Sequence, residues 1–321
     1  MRRNRTTARV LVFVVAAALL GAGAAQAGDL PPEAGGKPAT PGGTAPAPTK
    51  PAAPAPVTGS NIIFPVVGKS TYTDDYGDPR GSRSHAGIDI MAARRTVAVA
   101  AEAGRVRLWT TSSRAGCMLY LYGRSGTTYL YIHLNNDLTT SNDNTGSCVP
   151  GVAYATGLKN DAKVVAGQPL GYVGDSGDAN GGAPHLHFEL HPNGKETNPY
   201  QYLRRARKLL FAAQPGKPFT AAVRGKVFEA LDGELTLKAD QVRVWPGGAK
   251  VPTDGRKVSL AVPPSTVLVD PVGTFLANAR LQSLEPGRSA VAWTAKAKAT
   301  LKATLGMPLA LATARVVLSA S

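Results

Sequence analysis

"GGAPHLHFEL", residues 181–190, decides how this chain is read. The chain holds five histidines, and three of them, His185, His187 and His191, fall in this stretch or directly after it. In an extended strand successive side chains point to opposite sides. His185, His187 and Glu189 then share one face, and Leu186, Phe188 and Leu190 the other. One face carries groups that bind metals or move protons, and the other is core. A His-x-His by itself also fits an edge strand with a wet polar side, so the question is whether other segments supply partners.

Two of them do. In "SRSHAGIDIMA", residues 82–92, His85, Gly87 and Asp89 have one parity and Ile88 and Ile90 the opposite. His85 and Asp89 can therefore converge from one face, with Gly87 leaving space between them. In "TTYLYIHL", residues 127–134, the same alternation puts Tyr129, Tyr131 and His133 on the polar face and Leu130, Ile132 and Leu134 in the core. Three strands thus present histidine on their polar sides. Three ligands drawn from histidine and carboxylate, with a fourth position open, are the usual arrangement of catalytic zinc. An oxygen-only metal would want more carboxylates. Two further histidines beside such an ion can orient or deprotonate water and stabilise an oxyanion.

The surroundings of these motifs read as short strands divided by Gly and Pro, as in "TVAVAAEAGRVRLW", "CMLYLYG" and "QPLGYVGDSG". Residues 60–203 are accordingly expected to form one mostly antiparallel β domain. "NPYQYLRRARKLL" reads as a short basic helix or connector starting near Pro199, with 204–216 as the connecting segment. Residues 217–321 again alternate short strands with turns and contain neither histidine nor cysteine, which fits a small β-barrel or β-sandwich equipped for binding rather than chemistry.

The N-terminus has Arg2, Arg3, Arg5 and Arg9, an apolar run from Val10 to Leu20, and Ala25-Gln26-Ala27. That order is a secretory signal over 1–27; the apolar run is short for a bilayer span, so no transmembrane anchor is expected after cleavage. Residues 28–59, with "PATPGGTAPAPTKPAAPAP", cannot bury enough apolar surface to order and read as a linker. In an exported chain Cys117 and Cys148 are expected to pair, which would pin the polar loop holding Cys148 and contribute roughly 3 kcal/mol. Neither has a C-x-x-C neighbour, which argues against a cysteine zinc site.

The net charge of +15 is unevenly placed. Residues 28–203 hold 14 basic and 14 acidic side chains, whereas 204–321 hold 18 basic against 7 acidic. Such a bias points to a polyanion. For an exported chain that means an anionic cell-wall polymer or a membrane surface before nucleic acid, for which no recognition motif is present.

"HAGID", "YIHL" and "GDSGDANGGAPHLHFEL", closing with "NPYQYL", resemble the M23 zinc metallopeptidases, peptidoglycan endopeptidases of the lysostaphin and LytM type. The resemblance implies a lysostaphin-like domain of the duplicated hybrid motif class over 60–203. It also implies one Zn²⁺ per chain on His85, Asp89 and His187, with His133 and His185 as the catalytic pair. Tyr76, in "DDYGDPR", corresponds to a tyrosine that assists the transition state in some members. The expected protein is secreted, wall-associated and acts on peptidoglycan. Residues 135–162 are longer and more polar than the usual segment, and His191, beyond the motif, is expected to be an exposed surface residue. A D-alanyl-D-alanine carboxypeptidase would need H-x6-D and E-x-x-H-x-H, whereas Gly182 stands three before His185. A cupin-like metal site would lack "HAGID". An inactive M23 domain that binds wall or regulates another hydrolase is the alternative, against which all five histidine and aspartate positions are filled.

Overall fold

The computed structural model describes residues 62–231, 233–276, 281 and 284–319; the leader expected over 1–27 and the linker over 28–59 lie outside them. Among the described residues no helix is long and apolar enough to cross a membrane.

The first part is built from short strands: β1 (Ser70–Thr71), β2 (Pro79–Arg80), β3 (Arg83–Ser84), β4 (Ile88–Ala92), β5 (Val97–Val99), β6 (Gly104–Ser112), β7 (Gly116–Gly123), β8 (Thr127–Leu134), β9 (Lys163–Val164), β10 (Pro169–Tyr172) and β11 (His185–Pro192). Seven of them form an antiparallel sheet in the order β1-β4-β11-β8-β7-β6-β9. The H-x-H strand β11 therefore lies between the "HAGID" strand β4 and the "YIHL" strand β8. Its inward residues Leu186, Phe188 and Leu190 are buried against Ile88, Ile90, Leu119 and Leu121. Each such side chain contributes about 1.5–3 kcal/mol by leaving water. The β5–β10 pair covers this core with Ala98 and Leu170.

Helix α1 (Tyr200–Arg205) follows, with Pro199 as its N-cap. Then come β12 (Pro218–Leu231), β13 (Glu234–Trp245), β14 (Ala249–Ala261), β15 (Val267–Val269), β16 (Ser289–Thr294), β17 (Ala297–Lys298), α2 (Leu301–Thr304) and β18 (Thr313–Leu318). They make a second sheet in the order β14-β13-β12-β16-β18-β15. An isolated bridge between Ala261 and Ala312 ties the end of β14 to the residue before β18, and the sheet curls around Val223, Leu235, Leu237, Leu260, Ala292 and Val316.

Residues 204–216 are more than a spacer. Leu209, Leu210 and Phe211 are buried, and Leu209 joins Ile63, Val67 and Val99 of the first part with Val251, Leu301 and Leu305 of the second in a shared apolar cluster. Backbone bonds reinforce it: Phe64 N–H donates to the Arg207 carbonyl at 3.0 Å, and Leu210 N–H to that of Thr304 at 2.6 Å. Arg256 donates to the carbonyls of Lys208 and Leu305. The C-terminal sheet is joined to the first part by a small core of its own.

Candidate metal centre

Strand register assembles the site. His187 on β11 pairs with Asp89 on β4, and His185 with Met91, so Asp89, His185 and His187 project from one face. His85 lies just ahead of β4. Between them Gly87 is required: a Cβ there would stand 2.6 Å from the Phe188 carbonyl oxygen and 2.8 Å from His187 Nε2.

Three ligand atoms converge. His85 Nε2 lies 2.8 Å from His187 Nδ1 and 3.1 Å from Asp89 Oδ1, and the last two are 3.0 Å apart. One ion at ordinary zinc–ligand distances, about 2.0–2.1 Å, reaches all three. The groups behind them fix which nitrogens are free. His85 Nδ1–H donates to the Asp75 carbonyl at 2.9 Å, and His187 Nε2–H to Glu189 Oε1 at 3.1 Å. Both inner nitrogens are thereby left with lone pairs, as ligand histidines require. Arg80 donates to Asp89 Oδ2 at 2.8 Å and leaves Oδ1 to the centre. The donor set, two imidazoles and one carboxylate, suits Zn²⁺.

The electrostatics favour a cation. Burial pushes the Asp89 carboxyl up, but its bonds to His187 and His85 outweigh that and hold it well below the usual carboxylate range. Burial works against a proton on His187, yet Asp89 and Glu189 raise it to about 9.

His133 and His185 stand beside this group, their ring centroids 5.1 Å apart and their planes inclined by 64°. His133 Nδ1–H donates to the Ser176 carbonyl at 2.8 Å and His185 Nδ1–H to that of Ala183 at 2.9 Å, so each keeps Nε2 free. His185 Nε2 is 3.7 Å from Asp89 Oδ1. Burial, only partly opposed by the Ser176 carbonyl, lowers His133 to about 4.

The alternation expected for β8 is corrected here. Tyr131 pairs with Phe188 and Tyr129 with Leu190, and both tyrosines are core residues. Ile132 pairs with His187 and Leu130 with Glu189, so these two lie on the site face, where Met118, Tyr120 and Trp109 continue an apolar floor. Leu134 is buried, as expected. His133 reaches the site because its φ of +59° breaks the alternation. Histidine is among the side chains enriched in that conformation.

Tyr76 makes no hydrogen bond to the five cluster residues. Its hydroxyl donates to Glu196 Oε1 at 2.9 Å, and burial together with that bond pushes it up to about 12. His191 is also not the exposed residue expected: it is half-buried and donates to Glu189 Oε2 at 2.7 Å, which extends the chain behind His187. Cys117 and Cys148 are bonded, with Cα atoms 5.2 Å apart, and bring the 135–162 segment to the start of β7. Cys117 N–H donates to Ser176 Oγ at 2.9 Å, the residue whose carbonyl holds His133. One residue that the motifs did not reveal is Arg94. It is half-buried and bonds two fully buried carboxylates, Asp175 in the Gly-rich stretch and Asp137 in the long loop, and Asp137 accepts the Asp143 and Asn144 amides at 2.8 Å.

Residues 151–199 match the model of peptidase family M23. Among solved structures, the chain is similar to the catalytic domain of lysostaphin from Staphylococcus simulans, at 23% identity over 42% of this chain and 92% of that one, with a TM-score of 0.32. It is similar to the prophage-encoded M23 protein EnpA from Enterococcus faecalis, at 28% identity over 46% and 95% with a TM-score of 0.30. A zinc containing peptidase from Vibrio cholerae gives 19%, 49% and 41%, with a TM-score of 0.32. The chain spans 54% of an M23 structure from Pseudomonas aeruginosa and 61% of a LytM-type one from Ruminococcus gnavus. By its matched segment and the motifs around it, the chain is similar to peptidase family M23.

Proposed function

We propose that the protein is an exported zinc endopeptidase that hydrolyses peptide bonds in bacterial peptidoglycan. The observation that carries this reading is the convergence of His85 Nε2, Asp89 Oδ1 and His187 Nδ1, with two more imidazoles offering free Nε2 atoms beside them. His85, Asp89 and His187 would hold a zinc ion, which would supply Lewis acidity that eases deprotonation of water near neutral pH. His133, kept neutral by burial, accepts the proton at Nε2 while its Nδ1–H stays on Ser176, and it returns that proton to the leaving amine. As an imidazolium, His185 donates a hydrogen bond from Nε2–H to the oxyanion as the carbonyl becomes tetrahedral, and it keeps that proton when the intermediate collapses. Ile132, Leu130 and Tyr120 form the floor on which the peptide lies.

The test is incubation of the full chain with muropeptides of known cross-link type, with and without a chelator, and mass analysis of the products. We expect cleavage of one cross-link class, abolished by the chelator. Stoichiometric zinc with no cleavage of any class would favour the inactive, wall-binding reading instead.

A further inference from the structure

Seven of the 18 basic side chains of residues 204–321 lie on one face of the C-terminal sheet. In the C-terminal sheet the inward side carries the apolar core, and the outward side carries a series of cations brought into cross-strand rows. Lys226 on β12 pairs with Lys238 on β13, which pairs with Lys257 on β14. Arg243 on β13 pairs with Lys250 on β14. All five are exposed. Only Arg224, between the rows, has an acidic partner, Asp240 at 2.9 Å. Among the described residues the others have none.

Like charges directly opposite each other across a sheet are destabilising. A surface shaped for solubility alone would intersperse the two signs, yet here three lysines stand in register on adjacent strands about 4.8 Å apart. Beside them a second device fixes two guanidinium groups. Ala222 lies between Arg243 and Trp293, and Trp293 pairs with Arg315. Trp245 and Trp293 stack at 5.0 Å between centroids, with Arg243 5.1 Å over the first ring and Arg315 5.4 Å over the second. Stacking of this kind holds the guanidinium groups in place before any ligand arrives and lowers the entropy lost on binding.

We infer that this face binds a linear phosphate-bearing polymer of the bacterial cell wall, its phosphates running along the lysine row and the Arg-Trp-Trp-Arg row. The charge calls for a polyanion. The choice of a wall polymer rests on the peptidase reading proposed above, because the same chain docks a domain of that kind directly on the sheet.

The test uses the full chain in a His133→Ala background, so that walls are not digested, and reads retention rather than hydrolysis. Walls keeping their phosphate polymer are compared with the same walls stripped of it by hydrofluoric acid. We expect binding at low salt to the first and a drop of at least about tenfold on the second, with affinity falling steeply as salt rises. Lys226→Gln, Lys238→Gln and Lys257→Gln together should lower affinity by a similar factor, whereas the same charge removed from the first domain by Lys159→Gln, Lys163→Gln and Lys195→Gln should not. Thermal unfolding of the face variant at or above the parent's temperature excludes misfolding as the cause. Equal retention on stripped walls, equal losses in the two triple variants, or tighter binding to duplex DNA than to the wall polymer would each overturn the inference. None of these outcomes bears on zinc content or cleavage by the parent chain, so failure here is distinguishable from failure of the peptidase reading.

Discussion

The molecule contains two large β-sheets, the first antiparallel and the second antiparallel except for its β15–β18 pair, with opposite electrostatic designs. Around the metal centre of the first, the carboxylates meet partners within the fold: Asp89 sits between two histidines and Arg80, and Glu189 between His187 and His191. On the outward face of the second, lysines oppose lysines. The first arrangement is a set of acceptors gathered for a single cation and then insulated. The second leaves its charge unbalanced, so its complement has to come from outside. Internal pairing accordingly suits the chemistry proposed for the first face, and in-register repulsion the polymer binding inferred for the second.

The comparison is broken most severely by removing a ligand. His85→Ala and His187→Ala should each lose zinc, measured by metal analysis of the purified chain, and activity with it. Retention of stoichiometric zinc in both would dissolve the centre. His133→Ala and His185→Ala should keep the metal yet lower turnover by about 10²-fold or more, the usual scale for a positioned acid or base. Near-normal turnover in either would remove that residue from the chemistry.

The next effects concern stability. Arg94→Ala leaves two buried carboxylates, Asp137 and Asp175, without their cation. It should destabilise the chain by about 3–5 kcal/mol in denaturant unfolding; a change below about 1 kcal/mol would show that water reaches the pair. The smallest effect has the opposite sign. Lys238→Gln relieves two like-charge pairings and should raise stability by a few tenths of a kcal/mol to about 1 kcal/mol, more at low salt than at high. Measured destabilisation would mean that the row is compensated in some other way.

Much of the site was legible in the sequence because its histidines sit on locally extended segments, where parity alone decides the face. His187, His185 and Asp89 came out on one side for that reason. The rule failed at β8, where a single positive φ at His133 inverts the relation between the histidine and the tyrosines before it. Nothing in "TTYLYIHL" announces that turn. It is held by tertiary bonds, from His133 N–H to the Ala115 carbonyl and from Nδ1–H to that of Ser176. Arg94 was illegible for another reason: its partners lie 43 and 81 residues away, and no local pattern links them. His191 was misread because its role depends on Glu189, a residue the motif places but does not explain. In the C-terminal part, composition showed the amount of charge, while only strand register showed its alignment.

The apolar cluster that joins Ile63, Val67 and Val99 to Val251, Leu301 and Leu305 has a geometric consequence. A hydrolase on a flexible leash sweeps a volume whose radius grows with the square root of leash length. With the C-terminal sheet seated directly on the first part, its cationic face and the candidate metal centre keep one offset and one heading. On the peptidase and polymer-binding readings proposed above, cuts would therefore fall at a set distance from each point of attachment, and their spacing would copy the spacing of the polymer chains held.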